Sequence, residues 1–169
     1  MPSVYKPQIA LYNRTGSKQK RAMTVRTFKP ADLATLHKID AACFPPGVSY
    51  SLAELRAFIR HRHSKTWVAE ENGEIIGFLV AQRLGGDALH IVTIDVKEGW
   101  RRRGVGTALM DIAEEWGRRQ SLSLVSLETA EDNQRAQAFY KKRGYIRLNR
   151  IERYYANGAA AWVMGKWLR

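Results

Sequence analysis

Residues Val96 to Leu109, read as Val-Lys-Glu-Gly-Trp-Arg-Arg-Arg-Gly-Val-Gly-Thr-Ala-Leu, carry an apolar strand through basic residues into two glycines and on into an amphipathic helix. A strand and a helix therefore have to meet at a glycine turn. Gly104 and Gly106 have no Cβ to block a ligand's approach to the backbone. A helix that opens there points unpaired N–H groups and the positive end of its dipole at an anion. The consecutive Arg101, Arg102 and Arg103 reinforce the expectation of a polyphosphate ligand.

At 169 residues the chain is long enough for one well-buried domain and short for two. It is 45% apolar, has no apolar run long enough to span a bilayer and opens without a signal-peptide pattern, so it reads as a soluble cytoplasmic protein with no membrane role. Cys43 is the only cysteine, so no internal disulfide can form, and a lone cysteine of this kind reads as a small core hydrophobe. The net charge of +12 predicts an anionic partner. Residues 1–22 hold Lys6, Arg14, Lys18, Lys20 and Arg21 with no acid and no sustained periodicity, which reads as a flexible basic arm ahead of one domain over 23–169. That arm is compatible with nucleic acid or a ribosome. No zinc-finger, RNP or helix-turn-helix signature makes nucleic-acid binding the main function.

The element order follows from periodicity and punctuation. A short strand at Thr24–Phe28 precedes a helix opened by Pro30 and Asp32, with Leu33, Leu36, Ile39, Asp40 and Cys43 at helical spacing. Pro45, Pro46 and Gly47 break it, and Ser51 caps a second helix through Leu52, Leu55, Phe58 and Ile59. Asn72-Gly73 joins strands at Trp67–Glu70 and Glu74–Ala81 into a hairpin. Further strands are expected at Leu89–Val96, Leu122–Glu128, Tyr145–Leu148 and Ala161–Leu168. A helix capped by Asn133 ends at Arg143-Gly144. The result is an α/β chain: a mixed sheet covered by helices.

Three anion cradles compete for the glycine turn. A P-loop needs Gly-Lys-Ser/Thr, and Gly106 is followed by Thr107 with no lysine. A dinucleotide fingerprint needs a third Gly or Ala where Leu109 stands and a turn directly after the strand; Glu128, at the end of the next strand, is its one matching feature. The remaining pattern, Arg/Gln-x-x-Gly-x-Gly/Ala, is matched by Arg101-Arg102-Arg103-Gly104-Val105-Gly106, and here the chain resembles the GNAT acetyltransferases. The resemblance spans about residues 23–168 in element order. Leu127-Glu128-Thr129, Asn133, Ala138-Phe139-Tyr140 and Gly144-Tyr145, together with Arg153-Tyr154-Tyr155, resemble the RimI branch, the ribosomal-protein alanine N-acetyltransferases.

This resemblance implies a GNAT fold: a mostly antiparallel sheet with a splayed parallel pair and about four helices. It implies acetyl-CoA as cofactor, with CoA as product and no metal. Backbone groups of Ile94, Asp95 and Val96 would meet the acetyl-pantetheine arm and polarise the thioester carbonyl. The pyrophosphate would lie on Arg102, Arg103, Gly104, Val105, Gly106 and Thr107, with Arg101 beside it. Asn133 would bond the pantetheine arm, and Tyr140 would lie near the sulfur. Tyr50 and Tyr155 would border the acceptor.

Acetyl transfer to an amine needs a neutral nucleophile, a polarised carbonyl and a proton for the departing thiolate. Glu128 at a strand end is the candidate base, against a reading as a solvated carboxylate or an arginine partner. Tyr140, two helical turns after Asn133, is the candidate acid because a phenol near pKa 10 matches a thiolate leaving group. His90 and Asp95 flank the splayed strand as alternative bases, while His37, His61 and His63 read as helix-surface histidines. No His, Cys and carboxylate spacing suggests a metal. At pH 7 roughly a tenth of an α-amine but well under a hundredth of a lysine is neutral, so a modest base suffices for a peptide N-terminus. The expected activity is thus acetylation of a protein or peptide α-amine by direct transfer in a ternary complex, with ribosome association compatible. A lysine or small-amine acetyltransferase, or a non-catalytic acyl-CoA-binding module, is the alternative. Phe44–Ser51 departs from the RimI pattern, with Tyr50 where the branch has Trp, and so leaves the acceptor open.

Overall fold

The computed structural model describes residues 23–168, and the expected basic arm lies outside the described residues. Seven strands form one sheet: β1 Thr24–Thr27, β2 Ser64–Glu71, β3 Glu74–Arg83, β4 Ala88–Val96, β5 Leu124–Ala130, β6 Ile146–Ile151 and β7 Ala161–Trp167. Their order is β1-β2-β3-β4-β5-β7-β6. Every neighbouring pair is antiparallel except β4–β5. The expected mixed sheet with one parallel pair is therefore present.

Helices α1 Leu33–Cys43 and α2 Leu52–Arg60 bury Leu36, Ile39 and Leu55 against Val68, Phe78 and Val80 on one face of the sheet. On the other face, α3 Val105–Arg119 and α4 Gln134–Lys142 bury Val105, Leu109, Ala113 and Tyr140 among Leu79, Leu89, Val125 and Met164. Helix α3 is the crossover that a parallel β4–β5 pair requires.

Local chemistry sets the ends of these elements. Ser51 Oγ accepts from Glu54 N, and the Glu54 carboxylate accepts from Ser51 N at 2.8 Å, a reciprocal box that starts α2. Asn72 and Gly73 have φ of 52° and 80°, the left-handed pair that a two-residue hairpin needs. Strand β5 starts at Leu124, two residues later than the periodicity predicts, because Leu122 N donates back to Gly117 O to finish α3. It runs on to Ala130, so Glu128 sits inside the strand instead of ending it. Strand β6 extends past Leu148 to Ile151 because β7 keeps pairing with it.

Two irregularities shape the centre. Val80 pairs with Thr93 and Ala81 with Ile91, so Val92 is an extra residue on β4 and the strand's facing resets there. The parallel ladder covers only Ala88–Ile91 against Leu124–Leu127. Beyond it, Val92–Val96 and Glu128–Ala130 have no ladder partners in each other, and the sheet opens into a cleft.

Candidate active site

The glycine turn closes one end of this cleft. Gly104 is the residue before α3 and has φ +82°, a conformation that costs an L side chain about 1–2 kcal/mol. No side chain caps α3 and its first turn holds no acid, so its leading N–H groups are left for an external acceptor. Packing does not demand glycine at 106, since a Cβ there would meet the Phe139 ring at 3.5 Å, an ordinary contact. The arginines divide their work. Arg101 Nε donates to Val96 O at 3.1 Å, Arg103 lies 5.1 Å over the Trp100 ring, and exposed Arg102 has φ +60°. Arg101 is thus turned toward the strand, and the cradle is chiefly main chain.

At the other end of the cleft Glu128 Oε2 lies 3.2 Å from His90 Nε2, and Ser126 Oγ lies 3.5 Å from His90 Nδ1. Burial holds the His90 imidazole below its ordinary value, and the Glu128 charge opposes this without reversing it. A neutral imidazole therefore backs the carboxylate. Tyr50 comes from the loop before α2; its N–H donates to Asp40 Oδ2 at 2.7 Å, and its hydroxyl donates to Val92 O at 3.4 Å in the opened part of β4. Its ring packs edge-on against Phe58. Tyr154 and Tyr155 arrive from the β6–β7 loop, ring to ring at 4.9 Å. Burial and then Glu128 push the phenols of Tyr154 and Tyr155 up, Tyr155 to about 12. Burial pushes Tyr50 to about 12 as well, helped by Asp40 and Glu128. The charge of one carboxylate thus acts on three phenols. The two loops also touch, with Ala156 N donating to Gly47 O at 3.2 Å.

Tyr140 is 7% exposed, with its ring against Phe139 and Tyr145. Burial, then Asp95, pushes its phenol well above the ordinary value, so the hydroxyl keeps its proton. Asn133 Oδ1 accepts from Ala136 N at 3.1 Å and caps α4, leaving its amide NH₂ for any ligand. Asp95 lies on the α1 side of the sheet, 1% exposed, where Thr93 Oγ1 donates to it at 3.2 Å and Asp40 and Cys43 are near. Burial, then Asp40, raises its carboxyl well above the ordinary value. Cys43 Sγ donates to Val96 O at 3.5 Å and its thiol is raised by burial, as suits a packing role.

The model of the Acetyltransferase (GNAT) family matches residues 33–145, from the start of α1 to the residue before β6. The chain belongs to the GNAT acetyltransferase family. An N-alpha-acetyltransferase from Sulfurisphaera tokodaii is 26% identical over 163 residues, covering 88% of this chain and 95% of its own. An uncharacterized N-acetyltransferase from Methanocaldococcus jannaschii is 28% identical over 145 residues, covering 85% and 91%. The crystal structure of Ard1 from Thermoplasma volcanium superposes with a TM-score of 0.80 at 29% identity, over 87% of this chain and 98% of that one.

As a GNAT enzyme the chain is an N-acetyltransferase that takes acetyl-CoA. The fit is visible in the residues. The uncapped N-terminus of α3 with its left-handed Gly104 suits a pyrophosphate, and the unpaired edge of β4 from Val92 to Val96 suits an extended amide-bearing arm. Among the described residues no group of three His, Cys, Asp or Glu is arranged to hold a metal, and no helix is long and apolar enough to cross a membrane.

Sequence reasoning missed two contributors to the site of this GNAT enzyme. Tyr154 stands beside its selected neighbour Tyr155, and strand alternation gave no reason to prefer it in a loop. Asp40 was visible only as a carboxylate inside the apolar stripe of α1, a polar residue at 0% exposure that needs a partner.

Proposed function

We propose that this GNAT enzyme acetylates the N-terminal α-amine of a protein or peptide by direct transfer in a ternary complex. The observation that carries this reading is the Glu128–His90 contact at the mouth of the opened β4–β5 pair, ringed by Tyr50, Tyr154 and Tyr155. Glu128 accepts the proton of the incoming amine, directly or through water, and neutral His90 orients the carboxylate and shares that proton. Bound acetyl-CoA supplies an activated acetyl thioester. Backbone groups of Ile94, Asp95 and Val96 would meet the acetyl-pantetheine arm, with the Ile94 and Val96 N–H groups, turned away from β3, polarising the carbonyl, and Tyr140 would donate a proton to the leaving sulfur. The main chain of Arg102–Thr107 holds the pyrophosphate, and Asn133 uses its free amide on the pantetheine arm.

An α-amine suits this site because a carboxylate backed by neutral imidazole is a modest base, and about a tenth of such amines are already neutral at pH 7. The relatives named N-alpha-acetyltransferase support the same class. Within it, a protein acceptor of the RimI type, met at the ribosome in the cytoplasm, is the narrower reading. The test is an acceptor panel of short peptides with free or blocked N-termini, a lysine-only peptide, and spermidine. Turnover confined to free N-termini supports the proposal, and strong turnover of spermidine with none of peptides overturns it.

Residues 23–169 act as one catalytic domain in this reading, and the basic segment 1–22 contributes to partner binding. A chain beginning at Met23 should keep kcat on a short peptide; a collapse of kcat would contradict that division.

A further inference from the structure

The positive charge of this enzyme is not confined to its cofactor cradle. From Leu55 to Ala69 the chain has no acid, while Arg56, Arg60, Arg62 and Lys65 alternate with His61 and His63. The structure gathers these at the C-terminal end of α2 and the start of β2. Arg83 N donates to His63 O at 2.9 Å, which brings a fifth cation from the end of β3. Gln82 Nε2 meets His61 Nδ1 at 2.6 Å, and the two imidazoles stand 5.7 Å apart. Desolvation, then Arg62, His61 and Arg83, hold His63 below its ordinary value.

Among the described residues none of these five cations has a carboxylate within ion-pair distance. Glu54, the acid on α2, is turned to Ser51 at the opposite end of the helix. A cation in the last turn offsets the helix dipole, which accounts for Arg60 and not for the rest. Arg56 and Arg60, one turn apart on an exposed face, repel each other. Acetyl-CoA does not explain the patch either. Arg83 pairs with Leu89 at the beginning of β4, whereas the cradle follows Val96 at its end, roughly 20–25 Å away at about 3.3 Å per residue.

We propose that the C-terminal end of α2 with the adjoining β2–β3 edge is a docking surface for RNA. Four of the five cations are arginines, whose planar forks pair with phosphate oxygens and stack on bases. The exposed imidazoles His61 and His63 offer two further stacking planes. A bilayer surface would call for an inserted apolar face, and Leu84 alone of the large exposed apolar residues lies beside this patch. An acidic protein would leave the stacking planes unused. The other end of α2 begins at Ser51, next to Tyr50, about 13 Å along a helix that rises about 1.5 Å per residue. RNA bound here would hold the acceptor side of the enzyme close to whatever protein that RNA carries.

The test is fluorescence polarisation of a labelled single-stranded RNA of about 20 nucleotides over a potassium chloride series, with the full chain and the triple variant R56Q/R60Q/R62Q. The segment 1–22 is present in both proteins and cancels. Loss of three phosphate contacts should weaken binding at least tenfold near 100 mM salt and lower the slope of log Kd against log salt by about 2. Peptide acetylation should stay within about twofold, which shows the fold intact. Equal affinity and slope in the two proteins overturn the proposal, as does displacement of the RNA by polyglutamate or phosphatidylserine vesicles more effectively than by unlabelled RNA. Should the triple variant melt early, R62E alone decides: weaker RNA binding at unchanged acetylation supports the surface, and unchanged binding overturns it.

Discussion

His90 Nε2 lies 3.2 Å from Glu128 Oε2 across β4 and β5, within one rung of the place where their ladder ends. One partner is held neutral by burial and the other bears the charge that raises the phenols of Tyr50, Tyr154 and Tyr155, so the pair can pass a proton along a short path. Replacing Glu128 with Gln should lower kcat/KM for a peptide by about 10²–10³ with acetyl-CoA affinity unchanged, as befits a lost general base. His90→Gln should cost about tenfold. Equal losses in steady-state kinetics would make His90 the base in its own right.

The same pair leaves the pH profile to the acceptor amine. Because His90 is already neutral around pH 7, the rise in kcat/KM above that pH follows deprotonation of the acceptor amine near pH 8. His90→Gln should keep that limb. Its disappearance in a pH series would show that imidazole titration governs the rise.

Tyr140 has a buried hydroxyl whose ionisation is suppressed. Tyr140→Phe should lower kcat by about 10–100-fold while leaving the KM for acetyl-CoA and for peptide nearly unchanged, because the proton is needed only as the sulfur departs. A rise in the acetyl-CoA KM with unchanged kcat would assign Tyr140 to binding.

Asp40 Oδ2 accepts the Tyr50 N–H at 2.7 Å with the carboxylate fully buried. Asp40→Ala should raise the peptide KM at constant acetyl-CoA affinity, by releasing the loop that carries Tyr50. Asp40→Asn keeps an accepting oxygen and should restore most of the loss. Failure of the Asn variant to rescue would indicate that charge, not the hydrogen bond, matters.

Glu114, 3% exposed, joins α3 to the α4–β6 turn and to β7: Arg143 donates to it at 3.0 Å, Lys166 at 2.6 Å and Tyr145 Oη at 3.2 Å. Burial alone would raise its carboxyl, but the bonds from Lys166 and Arg143 overcome that and hold it below 4.5. A depressed folded-state value means the stabilisation is present above the unfolded value and is lost as pH falls through the folded one. Glu114→Gln should cost about 3 kcal/mol at pH 7, since two cations lose a buried partner. In thermal melts the gap to wild type should shrink as the pH drops below about 4.5.

Local reasoning reached most of the scaffold. The Asn72-Gly73 hairpin, the Ser51–Glu54 box, Asn133 as the cap of α4 and the glycine turn before α3 each depend on residues within a few positions of one another. Their conformations are chosen by steric and hydrogen-bond preferences that the short segment carries itself. The glycine turn is the clearest case, because Gly104 needs its left-handed φ whatever the rest of the chain does.

The sequence by itself therefore determined the α/β element order, the glycine turn before α3 and the carboxylate, imidazole and phenol side chains available to the cleft. Only the tertiary structure decided which of those residues meet. Strict alternation along β4 would put Asp95 on the same face as Leu89 and Ile91, but the extra residue Val92 turns Thr93 and Asp95 toward α1 and the buried carboxylate of Asp40. His90 and Glu128 are 38 positions apart and touch because α3 returns the chain parallel to β4. Tyr50 and Tyr154 come from loops at opposite ends of the sheet order, and Gly47 joins those loops through its carbonyl. A strand's period carries no information about a bulge set by pairing with its neighbour, and contacts between distant segments depend on packing energies that no local window contains.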